Sequence, residues 1–117
     1  MTKQIIGAQG EITIVKISEL PEGFAAMQNA ERTKAGWIIS HSESGNHHVL
    51  TGGEVMECTE NVPEGMRMLY AILENPGELI QDAAVPHGKY QLDPGFYEFR
   101  IAREFDPFAE QARQVAD

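Results

Sequence analysis

Turn signals punctuate this chain at short intervals, and they constrain its fold more than any other feature. Pro21-Glu-Gly23, Gly45-Asn46, Gly52-Gly53, Pro63-Glu-Gly65, Asn75-Pro-Gly77 and Asp93-Pro-Gly95 all combine residues that preset or permit turn dihedrals. The runs between them are short and rich in β-branched and aromatic residues. Expected strands cover 11–17, 36–41, 47–51, 54–59, 66–73, 78–81, 89–92 and 96–101. That rhythm predicts a mainly β fold, a sandwich or a barrel. Met66-Arg-Met-Leu-Tyr-Ala-Ile-Leu73 is apolar on nearly both faces and reads as a central strand. Residues 18–35 read as a long connection with one helical turn around Phe24-Ala-Ala-Met27.

The pattern changes near the end of the chain. Asp106 suits a helix N-cap and Pro107 the first helical position. Phe108, Ala112, Val115 and Ala116 then share one helical face, which predicts a short C-terminal helix over about 106–116. Just before it, Glu104 reads as a salt-bridge or hydrogen-bond partner. The turn at Pro94-Gly95 predicts a last hairpin that pairs Leu92 with Tyr97 and Tyr90 with Phe99, an aromatic ladder facing the core.

At 117 residues the chain fits one domain, 1–117, large enough to bury a core unaided. Its 18 acidic and 9 basic residues leave a formal charge of −9. Lys and Arg are scattered from Lys3 to Arg113, so no patch offsets repulsion from a phosphate backbone, and no nucleic-acid partner is expected. No apolar run approaches the roughly 20 residues that span a bilayer, so no membrane partner is expected. Met1-Thr-Lys-Gln-Ile-Ile-Gly7 lacks the apolar stretch of a secretory signal, and a cytoplasmic location follows as the default. Cys58 is the single cysteine, which excludes an intrachain disulfide and reads as a buried, inert thiol. Nothing matches a nucleophile elbow, a phosphate-binding glycine loop or a zinc-protease helix, so no catalytic residue is nominated.

His41-Ser-Glu-Ser-Gly-Asn-His-His48 carries the one chemical suspicion. A hairpin turning at Ser44-Gly45 sets His41 opposite His48, Ile39 opposite Leu50 and Ser42 opposite His47. Directly opposed residues have Cβ atoms about 5 Å apart. His41 and His48 then share the apolar face with Trp37, and His47 points the other way. A turn at Gly45-Asn46 instead places Glu43 opposite His48 and parts the two histidines. Paired imidazoles suit a divalent transition metal such as zinc, nickel, copper or iron. His87 would supply a third ligand, and Glu43, Glu54 or Glu57 a carboxylate. Ordinary hydrogen-bonded histidines, and an acid–base or metal-free binding role, remain open beside that reading.

Gly45-Asn-His-His48 followed by Glu54, with Asp93-Pro-Gly95 further on, is similar to the cupin motifs of glycine, alternating histidines and glutamate, then proline and glycine. Asn46 stands where the first alternating histidine would be, and Phe96-Tyr-Glu98 supplies no later histidine. The resemblance implies a cupin-like barrel that binds a metal and acts on or binds a small molecule. Gly45-Asn-His-His48, His87, Leu92-Asp-Pro-Gly-Phe-Tyr97, Arg103-Glu-Phe105 and Val115-Ala-Asp117 resemble a group of short uncharacterised bacterial and phage-associated proteins. That resemblance places His48 and His87 at the pattern's histidine positions, with Asn46 and Ala84 where relatives often carry more histidines. It implies a structural or interaction module, an oligomer or assembly component of phage or prophage type, with virion association as an alternative location.

Overall fold

A computed structural model of the chain describes residues 2–41, 47–81 and 89–102. The expected C-terminal helix over 106–116, Glu104, His87, Ala84 and residues 42–46 lie outside the described residues. The strands are β1 (Lys3–Gln9), β2 (Ile12–Ile17), β3 (Gln28–Asn29), β4 (Trp37–Ser40), β5 (His48–Leu50), β6 (Glu54–Cys58), β7 (Met66–Leu73), β8 (Gly77–Gln81), β9 (Lys89–Leu92) and β10 (Gly95–Ala102). One 3-10 turn, Phe24–Ala26, falls where a helical turn was expected. The fold is mainly β, as the turn rhythm predicts. Two strands escape the sequence pattern, β1 and the two-residue β3.

All pairings are antiparallel, in a six-stranded sheet ordered β1-β2-β10-β7-β6-β3 and a four-stranded sheet ordered β4-β5-β8-β9. β7 is interior, as its two apolar faces require. One core joins the two sheets: Ile12, Ile14, Leu69, Ala71, Tyr97, Phe99 and Ile101 meet Ile39, Leu50, Leu79 and Leu92. A smaller cluster lies on the opposite face of the larger sheet. There Val15, Ile17 and Tyr70 are covered by Phe24 and Met27 from the connection after β2.

The expected last hairpin is corrected. β9 pairs with β8 and β10 with β7, so Asp93-Pro-Gly95 carries the chain from one sheet to the other. Leu73 pairs with Gly95 before this corner and Gly77 with Leu92 beyond it. Four steps along one strand therefore match three along the other, a bulge that bends a paired ribbon around the sandwich edge. β5 and β6 make the same crossing through Gly52 and Gly53. Gly53 has φ +74°, and a Cβ there would lie 2.5 Å from the Ile72 carbonyl oxygen. Leu92, Tyr97 and Phe99 do enter the core, but from different sheets.

The β4–β5 hairpin forms in another register than expected. Trp37 pairs with Leu50, Ile38 with Val49 and Ser40 with His48, with a bulge between Ile38 and Ser40. The bulge absorbs one residue, so His41 is not opposite His48, and neither turn considered from the sequence gives this pairing. Ile39, the extra residue, is fully buried in the core.

β1 and β2 are joined by the two-residue loop Gly10-Glu11. Only Gly10 has positive φ there (+58°), the pattern of a type II′ hairpin. The far end of β1 leans over the smaller sheet: Tyr90 packs on Gly7, where a Cβ would approach its ring within 2.5 Å. Gln9 Nε2 donates to the Leu79 carbonyl at 3.1 Å.

Candidate functional site

Where the β1–β2 turn meets the β4–β5 hairpin, polar side chains gather in two layers. The inner layer holds His48, Gln9, Glu11 and Ser40. His48 Nδ1 is 2.8 Å from Gln9 Oε1, and His48 Nε2 is 3.7 Å from Glu11 Oε2. Ser40 donates its hydroxyl to Glu11 Oε1. The His48 and Glu11 side chains are 7% and 11% exposed. Burial lowers the proton affinity of His48, and the nearby Glu11 charge only partly restores it.

The outer layer holds His41, His47 and Glu31. The His41 and His47 rings meet edge to face with centroids 4.6 Å apart. His41 Nε2 lies 3.4 Å from Glu31 Oε2. Among the described residues, His47 Nδ1 is buried without a hydrogen-bond partner.

The nominated residues are thus partly brought together. His41 and His47 meet, and His48 turns inward beside them in sequence, as alternation along a strand demands. His87 and Glu43 lie outside the described residues. Glu54 and Glu57 belong to the other sheet, where Glu57 pairs with Arg67 at 2.7 Å. The carboxylates that do meet the histidines are Glu11 and Glu31. Sequence reasoning missed both, along with Gln9 and Ser40. The signal for Glu11 was Gly10-Glu11 as a hairpin turn, hidden because β1 carries no buried alternation. Among the described residues, no three His, Cys, Asp or Glu side chains form a group that could hold a metal ion.

Three features lie apart from these two layers. Glu98 on β10 is fully buried beneath Lys3, Tyr70 and Arg100. A surface depression of about 310 Å³ is lined by Thr2, Lys3, Gln4, Lys16, Ile17 and Ser18, none of them a histidine. Cys58 is half-buried, and its thiol donates to the Glu60 carbonyl at 3.2 Å. No helix among the described residues is long and apolar enough to cross a membrane.

The chain belongs to the DUF8820 family, a domain of unknown function, whose model matches residues 8–102. The match begins at the far end of β1 and runs through β10, so both polar layers fall inside it. No curated protein and no solved structure matches the chain.

Proposed function

We propose that this domain is a structural or interaction module that self-associates through its edge strand β1, as a component of a phage- or prophage-type assembly. The supporting observation is that Ile5 is 65% and Ile6 37% exposed on the strand that ends the six-stranded sheet. An edge offers backbone donors and acceptors to another strand, and exposed isoleucines add apolar area to the contact. Charge favours a second copy of this chain as the occupant. Copies carrying −9 repel over most of their surface, but β1 has one lysine and no carboxylate. Antiparallel pairing about a two-fold axis sets isoleucines against isoleucines and the two Lys3 residues at opposite ends. One bulged edge buries less than the roughly 800 Å² per partner of a standard interface, so association depends on concentration.

Light scattering of tag-free protein tests this. Rising concentration gives a monomer–dimer equilibrium, and the double variant Ile5→Lys, Ile6→Lys stays monomeric with its melting temperature kept. A strict monomer at high concentration overturns the reading. The resemblance to phage-associated proteins supports the setting, and recovery of the chain from purified particles tests it.

A second reading is a cupin-like protein that binds or transforms a small molecule through a divalent transition metal at His41, His47, His48 and His87. The unpartnered, buried Nδ1 of His47 beside His41 favours it. Tag-free protein that retains no transition metal, and whose melting temperature no such metal raises, rules it out.

A further inference from the structure

The outer face of the six-stranded sheet, where the smaller cluster sits, is covered at its middle and open at one corner. Side chains alternate along β10, so Glu98, Arg100 and Ala102 share this face. Glu98 is fully buried, the Arg100 side chain is 33% exposed and Ala102 is exposed. The flanking strands repeat that gradient. On β2 Val15 is buried and Thr13 only partly, and on β7 Tyr70 is buried while Met68 and Met66 are only partly so. Phe24 and Met27 thus leave incompletely covered the corner where Met68 pairs with Arg100 and Met66 with Ala102. The described residues end at Ala102 in that same corner, and residues 103–117 follow it in sequence.

We propose that this corner is the docking surface for the chain's own C-terminal segment, with residues 106–116 as an amphipathic helix that lays Phe108 and Val115 on Met66 and Met68. The proposal rests on the helix expected from Asp106, Pro107 and the apolar spacing, and it is independent of self-association through β1. Residues 103–105 reach about 10 Å when extended, enough to lift the chain one packing layer above the sheet. A helix over 106–116 is about 16 Å long. The two strand spacings from β10 across β7 to β6 take up about 10 Å of that. Unbranched methionines repack readily around an irregular partner. Tethering favours this occupant over a separate protein. One corner of a sheet falls short of the roughly 800 Å² per partner of a standard interface. A segment already joined at Ala102 docks intramolecularly, at high effective concentration.

Nuclear Overhauser spectra of the full chain, methyl-labelled at methionine, test the proposal. Cross-peaks from the Met66 and Met68 methyls to the Phe108 ring and the Val115 methyls are expected in dilute solution. Cross-peaks to none of residues 106–116 overturn it. So do cross-peaks found only between differently labelled copies in a mixed sample, which make a second chain the occupant. Cys58 pairs with Met68 on the same face and gives a second readout. Its reaction with a thiol reagent should quicken at least about fivefold in Phe108→Ser and stay within about twofold in Gln114→Ser, on the far side of the helix. Equal rates in the two variants overturn the docking. The wild-type cross-peaks do not depend on either variant folding, and melting curves of both variants separate lost docking from lost fold.

Discussion

Tyr70 on β7 donates its hydroxyl to Oε1 of Glu98 on β10, 3.0 Å away, and that carboxylate has no exposed surface. Lys3 Nζ reaches the same oxygen at 2.9 Å, and Arg100 Nε reaches Oε2 at 2.6 Å. Lys3 belongs to β1 and Glu98 to β10, so the ion pair crosses β2 and ties the edge strand to the sheet interior. Removing one side of a buried pair leaves the other's desolvation unrepaid. Glu98→Ala should therefore cost roughly 3–5 kcal/mol. Lys3→Met removes a partner that solvent already screens and should cost no more than about 1 kcal/mol. Chemical denaturation measures both. A cost below about 1 kcal/mol for Glu98→Ala would show that the network holds nothing together.

Acid should undo the same network. Burial pushes Glu98 up, but hydrogen bonds from Lys3, Arg100 and Tyr70, with the Arg100 charge, hold it below its ordinary value. A carboxylate depressed in the folded state adds stability above its unfolded pKa, about 4.3. That contribution fades as pH falls through the folded value. Stability should fall below about pH 4 through this group. Glu98→Gln should be less stable at neutral pH and lose less on acidification. Parallel pH profiles of the two proteins would remove Glu98 from the acid response.

The sandwich corner sets a different demand at neighbouring glycines. Gly52 has φ +76° with open space at its Cβ position, whereas Gly53 has φ +74° and faces the Ile72 carbonyl oxygen at 2.5 Å. Gly52→Ala meets only backbone strain and should cost about 1 kcal/mol. Gly53→Ala adds a backbone clash at the crossing and should cost more than about 2 kcal/mol. Equal costs in thermal or denaturant unfolding would show that the corner is free to open.

These corners also explain where the sequence was misleading. Met66–Leu73 and Lys89–Leu92 were readable to the residue, because apolar pattern and flanking turns agree there. Asp93-Pro-Gly95 was read as a hairpin, since proline and glycine mark a reversal and a sheet crossing alike. Only pairing with distant strands decides between them. β1 was missed because solvent reaches most of it, leaving no alternation to detect. Glu98 lies between Tyr97 and Phe99 and so faces away from the main core, where no apolar pattern marks a second buried layer. Its face is buried by Phe24 and Met27, from a connection that carries no strand pattern. The histidine register turned on a bulge at Ile39 that local residues do not announce. So the histidines were legible as a cluster, but their partners Gln9 and Glu11 arrive from an unforeseen strand and its turn.

Strand position makes a final prediction that also bears on self-association. β10 lies between β2 and β7, and β7 between β10 and β6, with core residues from both strands buried. Their amides should open only with global unfolding and exchange slowest. β1 has one paired neighbour, little burial and a bulge at its middle. It should exchange fastest among the longer strands in dilute solution, and faster still in Glu98→Gln, where the tie to Lys3 is weakened. If β1 pairs with a second copy, its amides should gain protection as concentration rises, while those of β10 stay unchanged. Hydrogen exchange read residue by residue at two concentrations checks this. Protection of β1 equal to that of β10 at the lower concentration would mean that the edge is not the loosely held strand described.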